Sequence, residues 1–96
     1  MAFDPYKNIK NLRDHKIDLS FGNRVLADCH AIEVIDEKMD YGEERWNVLG
    51  MVDGAVYHLT YTENDDGIRY ISLRPAEKRE EAHYLKEVYR NGRRND

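Results

Sequence analysis

Two alternating stretches meet at Asp53-Gly54. Asp-Gly is a preferred pair for a two-residue hairpin turn, because both central residues of that turn need positive φ. Before it, residues 45–52 place Trp46, Val48, Gly50 and Val52 on one side. After it, residues 55–62 place Ala55, Tyr57, Leu59 and Tyr61 on one side. A two-residue turn pairs Val52 with Ala55, and every other pairing then follows. Gly50 faces Tyr57, Val48 faces Leu59, Trp46 faces Tyr61 and Arg45 lies opposite Thr62. That face is apolar and must be covered. The other face carries Arg45, Asn47, His58, Thr60 and Thr62, with Leu49, Met51 and Val56 nearer the turn.

The flanking segments suit helices and outer strands. Asp4-Pro5 is a helix start, with Asp as cap and Pro at the first helical position. Tyr6, Ile9 and Leu12 recur as an apolar stripe, and Lys7, Asn11 and His15 recur as an adjacent polar stripe. This helix is expected to end near His15 or Lys16. Asp18 caps a second helix, with Leu19, Gly22, Leu26 and Cys29 at helical spacing and Phe21 and Val25 widening the face. Cys29 reads as a small buried hydrophobe. Residues 31–36 read as a strand, 37–44 as a charged loop and 68–74 as the last strand. A regular strand puts Arg69 and Arg74 on opposite faces; they converge only past the strand end or across a bulge. From Pro75 to about residue 90 the chain is strongly helical, with Ala82, Leu85 and Val88 or Tyr89 as its apolar stripe. The expected fold is α+β, with two N-terminal helices, a four-stranded antiparallel sheet and a C-terminal helix. It forms a single domain over residues 1–90, followed by a polar tail at 91–96.

Composition bounds the class. Ninety-six residues suit one core, and 41% hydrophobic residues are too many for a disordered chain. No apolar run is long enough to cross a membrane, and the N-terminus lacks a secretory pattern. The single cysteine excludes an internal disulfide and a cysteine-rich zinc site, which points to the cytoplasm. Net charge is −4 but unevenly spread: residues 31–66 carry two basic and ten acidic side chains, and residues 67–96 carry eight basic and five acidic. An anionic partner could therefore bind where the basic ends meet; the blander reading is solvated surface charge.

Three groups could carry chemistry. Arg69 and Arg74 lie at the corner before the last helix, where guanidinium forks and a helix N-terminus suit phosphate. They could equally be tied to the acidic loop at 37–44. Glu44-Arg45 opens a strand and combines a base with a phosphate clamp, or is a surface ion pair. His15, with Lys7 and Asn11 on the same helix, can exchange protons near neutral pH, or simply cap and pack. The other histidines lack metal-ligand spacing, and no phosphate-cradling glycine loop or nucleophile elbow is present.

The chain resembles the BrnT family of toxins from bacterial type II toxin–antitoxin systems. The match begins with Asp4-Pro5-x-Lys7 and continues through Asn11, His15 and Ile17. It resumes at Glu44-Arg45-Trp46, Leu49-Gly50, Thr62 and Ile68-Arg69-x-Ile71-Ser72-x-Arg74-x-Ala76, and ends with Glu80 and Tyr84. The resemblance implies a RelE-like ribonuclease that cleaves RNA without a metal or other cofactor, inhibiting translation and growth. It implies neutralisation by a BrnA-type ribbon-helix-helix, DNA-binding antitoxin, in a heterotetramer. By family position Arg69 and Arg74 are phosphate and transition-state candidates, His15, Glu44 and Tyr84 proton-transfer candidates, and Lys7 and Arg45 supporting cations for the RNA phosphate.

The chain also departs from the family pattern. The usual Lys-His-Gly is Asp14-His15-Lys16, the second helix carries Leu19 and Gly22 in place of an aromatic and Ala, and the usual Ser-Ala-Arg-Lys is Ser72-Leu73-Arg74-Pro75. The alternative function is therefore a catalytically weak or inactive member that acts as antitoxin partner and co-repressor. A general RNA-binding module is the third reading.

Overall fold

The computed structural model describes residues 5–34, 45–65 and 67–94. They form helix α1 (Pro5–His15), a 3-10 turn (Leu19–Phe21), helix α2 (Gly22–Leu26), strands β1 (Ile32–Val34), β2 (Arg45–Val52), β3 (Ala55–Asn64) and β4 (Gly67–Pro75), and helix α3 (Lys78–Arg94). The strands make one antiparallel sheet in the order β1-β2-β3-β4. Asp53 and Gly54 take φ of 51° and 86°, both positive as the two-residue turn requires. The β2–β3 register runs from Val52–Ala55 to Arg45–Thr62, as the turn dictates. The expected cap at Asp4, the strand end at 35–36 and the loop at 37–44 lie outside the described residues.

One sheet face packs against the 3-10 turn and α2. Leu19, Val25, Val48, Leu59, Tyr70 and Leu73 are buried there, and Trp46 stacks on Tyr61 with ring centroids 5.7 Å apart. Asp18 starts the turn, its carboxylate accepting from the Ser20 amide at 2.9 Å. Gly50 is what lets α2 lie so close to β2. A Cβ at that position would sit 2.6 Å from the Val25 carbonyl oxygen, which is backbone and cannot rotate away. On the opposite face, near the hairpin turn, α3 packs through Tyr84 and Val88 against Leu49, Val56 and Met51.

Several expectations about the helices are corrected. The second helix is a 3-10 turn followed by five α-helical residues, and it stops at Leu26. Cys29 is therefore exposed rather than buried. The cause is Asp28, where the chain turns: its carboxylate accepts from the His30 amide at 3.0 Å, the Met51 amide at 2.8 Å and the Tyr84 hydroxyl. Burial pushes the Asp28 carboxyl up, but these hydrogen bonds outweigh it and hold the pKa below its ordinary value. Pro75 does not start α3. It ends β4, opposite Tyr57 on the edge strand, where its missing N–H leaves no ladder bond unmade. Helix α3 begins three residues later, at Lys78, and continues to Arg94.

The apolar stripes are also turned around. In α3, Tyr84 is buried while Ala82, Leu85 and Tyr89 are exposed. The helix is rotated so that Glu80, Tyr84 and Val88, one turn apart, face the protein, because Glu80 and Tyr84 both have polar partners there. In α1, Tyr6, Ile9 and Leu12 point to solvent, and the one buried residue is Asn11. Polar bonds attach this helix. The Asn8 side chain accepts from the Leu19 amide at 2.7 Å, and Asn11 bonds the Ile17 carbonyl and the Leu73 amide.

We expect Gly50→Ala to destabilise the fold by about 1–3 kcal/mol, the usual range for forcing atoms into a filled core. Urea unfolding measures it. An unchanged midpoint would show that α2 does not depend on this close approach.

Candidate functional site

The sheet face shared with α3 turns polar away from the hairpin. Its residues stand in cross-strand rows fixed by register. Asn47, Thr60 and Ser72 form one row, and Arg45, Thr62 and Arg69 form the next. The β3–β4 pairing makes this possible. Thr60 pairs with Ser72 but Tyr61 pairs with Tyr70, so Ile71 is an extra residue, a bulge in β4. A bulge shifts the alternation by one. Arg69 before it and Ser72 and Arg74 after it therefore share one face, while Tyr70 and Leu73 stay in the core on the other.

Helix α1 closes this region on the β4 side. Its Lys7, Lys10, Asn11, Asp14 and His15, with Arg45 of β2 and Ile71 and Ser72 of β4, line a cavity of about 230 Å³. Its cations thus come from the first helix and from Arg45 in the acidic middle of the sequence, whereas the C-terminal third contributes uncharged Ile71 and Ser72 rather than the basic side chains expected of it. Lys7, Lys10 and Arg45 supply three cations, and His15 places an imidazole beside them. Asp14 is the one acid in the lining among the described residues, and the Arg13 Nε lies 3.3 Å from it. Arg69 stands in the same row as Arg45 with Thr62 between them, about 10 Å away at two strand spacings. The Nε atoms of both arginines are out of solvent, and Thr62 is buried, so this row is held from below.

The remaining candidates lie elsewhere. Arg74 is opposite His58, four β3 residues from the Arg69 pairing, or about 13 Å along the strand. Its Nη1 and Nη2 bond Glu80 Oε1 and Oε2 at 2.8 and 3.1 Å. Glu80 Oε1 also accepts from the Glu77 amide at 2.8 Å, the reach of a third-position Glu back to the residue before the helix. Arg74 thus ties β4 to the first turn of α3, and its acidic partner is Glu80. His58 Nε2 lies 3.9 Å from the same carboxylate. Tyr84, on the inner side of α3, is 2% exposed, donates to Asp28, and does not line the cavity. Burial and that hydrogen bond raise its pKa. Glu44 lies outside the described residues.

Lys10 was not singled out by the sequence reading, although its spacing from Lys7 and Asp14 puts all three on one helix face. Ser72 was hidden by the bulge, which no residue type announces. Among the described residues, no group of three His, Cys, Asp or Glu side chains is placed to hold a metal ion. No helix among them is long and apolar enough to cross a membrane.

The Arg74 hydrogen bonds hold the Glu80 carboxyl at about 2, against an ordinary value of 4.5. A carboxyl whose pKa falls on folding stabilises the fold above its unfolded value, and that contribution is lost as pH falls through the folded value. We therefore expect part of the stability to disappear between about pH 4.5 and pH 2, and Glu80→Gln to remove that part of the slope. Urea unfolding across a pH series checks it. An unaltered slope in the variant would assign acid sensitivity to other carboxyls, such as Asp28.

The model of a family described as ribonuclease toxin, BrnT, of type II toxin–antitoxin system matches residues 3–80. No curated protein matches the chain.

Proposed function

Because the chain belongs to the BrnT family of type II toxin–antitoxin ribonuclease toxins, we propose that it cleaves RNA in the cavity between α1 and the bulge of β4. The observation that carries this reading is the meeting of His15 and Lys7 with Arg45 in one cation-rich lining. RNA can be cut by its own 2′-hydroxyl. The hydroxyl oxygen attacks the adjacent phosphorus and gives up its proton, and the 5′-oxygen leaves and takes one up. The products are a 2′,3′-cyclic phosphate and a free 5′-hydroxyl. Two needs follow: proton exchange at the two oxygens, and positive charge beside a phosphate whose charge becomes more concentrated. His15 serves the first. Glu44, directly before Arg45 in the chain, is the second proton-transfer candidate. Lys7, Lys10 and Arg45 serve the second need, with Arg69 two strands from Arg45 in the same row. Positive side chains in these numbers supply the charge stabilisation locally, so the reaction is read as metal-independent.

Arg74 and Tyr84 leave the proposed site. A guanidinium bonded at both ends of its fork to Glu80 is committed, and a buried tyrosine bonded to Asp28 is not placed to reach RNA. The same reading takes the fold as RelE-like, the setting as cytoplasmic, the effect as arrest of translation and growth, and the partner as a BrnA-type ribbon-helix-helix antitoxin joined in a heterotetramer. Type II membership itself implies an antitoxin partner.

Removing one preorganised charge donor commonly costs about 2.7–4 kcal/mol, or roughly 100- to 1000-fold in rate. We expect that loss for Arg45→Ala in cleavage of a single-stranded RNA. His15→Ala should lose a roughly 100- to 10,000-fold proton-transfer contribution. Both should keep the thermal midpoint near that of the parent. Arg74→Ala should do the reverse, with a lower midpoint and turnover per folded molecule preserved. Normal cleavage by the His15 and Arg45 variants would remove the cavity from the chemistry. A parent protein that binds antitoxin but never cuts RNA would favour the co-repressor reading.

A further inference from the structure

Helix α1 presents an apolar stripe to solvent. Tyr6 is 82% exposed, Ile9 63% and Leu12 41%, at three-residue spacing on one face. Ile9 and Leu12 are aliphatic, and Ile9 sits at the centre of the stripe. Exposed Lys10, Arg13 and Lys16 lie among and beside these residues, with Asp14 paired to Arg13 at 3.3 Å, so the apolar strip has a net basic rim although the whole chain is net acidic. The stripe is not wasted core. The inward side of the same helix is held by the Asn8 and Asn11 hydrogen bonds, which leave no room to rotate Ile9 inward without breaking them.

We propose that this face of α1 is the docking surface for an amphipathic, acidic segment of the antitoxin, with apolar side chains laid over Tyr6 and Ile9 and carboxylates against Lys10, Arg13 and Lys16. The proposal rests on the toxin reading for the existence of that partner. Charge complementarity selects an acidic occupant over a second copy of this chain, whose own stripe carries the same basic rim. Aliphatic Ile9 and Leu12 favour a protein over RNA, which stacks on aromatic faces but gains little from branched alkyl groups. Lys10 belongs both to the rim and to the cavity lining. A carboxylate drawn to Lys10 therefore competes with an RNA phosphate, so docking on the outside of α1 silences the cavity on its inner side.

The test uses the full chain, the antitoxin produced with it and the double variant Tyr6→Ser/Ile9→Ser. Loss of an interface anchor weakens binding by a factor of about 30 or more. Calorimetric titration should show at least that rise in Kd. RNA cleavage by the variant alone should stay at the parent value, because neither side chain lines the cavity, and its thermal midpoint shows that it is folded. Arg13→Glu, a second variant with no apolar change, should slow association and make it less sensitive to salt. An unchanged Kd in the double variant overturns the proposal. So does a variant that binds antitoxin normally but loses RNA binding, which would make the stripe an RNA surface. Self-association of the parent that the double variant abolishes would make it a homodimer face and also overturn it. If the parent cuts no RNA yet its antitoxin binding collapses in the double variant, the ribonuclease reading fails and the docking surface stands.

Discussion

The side chain of Asn11 makes two hydrogen bonds inside the protein, and the cavity depends on them. Its Nδ2 donates to the Ile17 carbonyl at 2.8 Å, and its Oδ1 accepts from the Leu73 amide at 2.9 Å. The first bond fixes the turn after α1. The second attaches α1 to the outer side of β4, which is an edge strand and has outward N–H groups to satisfy. Asn11 is 4% exposed, and a buried amide or backbone N–H left without its partner costs about 1–3 kcal/mol. The apolar residues of the helix face solvent, and Asn8 adds a second fastening by accepting from the Leu19 amide at 2.7 Å. Lys7 and His15, one turn to either side of Asn11, are brought over Arg45 and Ser72 by these polar bonds.

The bulge at Ile71 does the matching work in the sheet. Without it, Arg69 and Ser72 would fall on opposite faces, and either the cavity or the core would lose its residues. With it, β4 gives Tyr70 and Leu73 to the core and Arg69, Ser72 and Arg74 to the polar face. Beyond the bulge, the Arg74–Glu80 pair fixes where α3 leaves the sheet, and the Asp28–Tyr84 bond fixes how the helix is rotated. The arginine nearest the helix N-terminus is therefore part of the frame, while Arg45 and Arg69 stand two rows further along the same polar face.

The hairpin was legible because its information is local: Asp53-Gly54 sets the turn, and the period of two sets every pairing after it. Helix α1 was legible in extent but not in rotation. Tyr6, Ile9 and Leu12 outweigh one asparagine in any count of hydrophobicity, yet Asn11 is buried because it has two backbone partners, one of them 62 residues away. Helix α3 was misoriented for the same reason, with Glu80 and Tyr84 turned inward by Arg74 and Asp28. His15, Lys7 and Arg45 were named from residue type and family position, while Lys10 and Ser72 needed the three-dimensional meeting of α1 and β4. Long-range polar bonds and a bulge leave no periodic trace, and those were the features missed.

In the proposed reaction His15 on α1 and Arg45 on β2 act on one scissile phosphate. A double-mutant cycle on single-turnover RNA cleavage tests it, using the parent, His15→Ala, Arg45→Ala and the double variant. Groups that act as a unit are strongly non-additive, so the double variant should be little slower than the worse single one. Losses that simply multiply would contradict the account, because they would place the two residues at independent steps or independent sites.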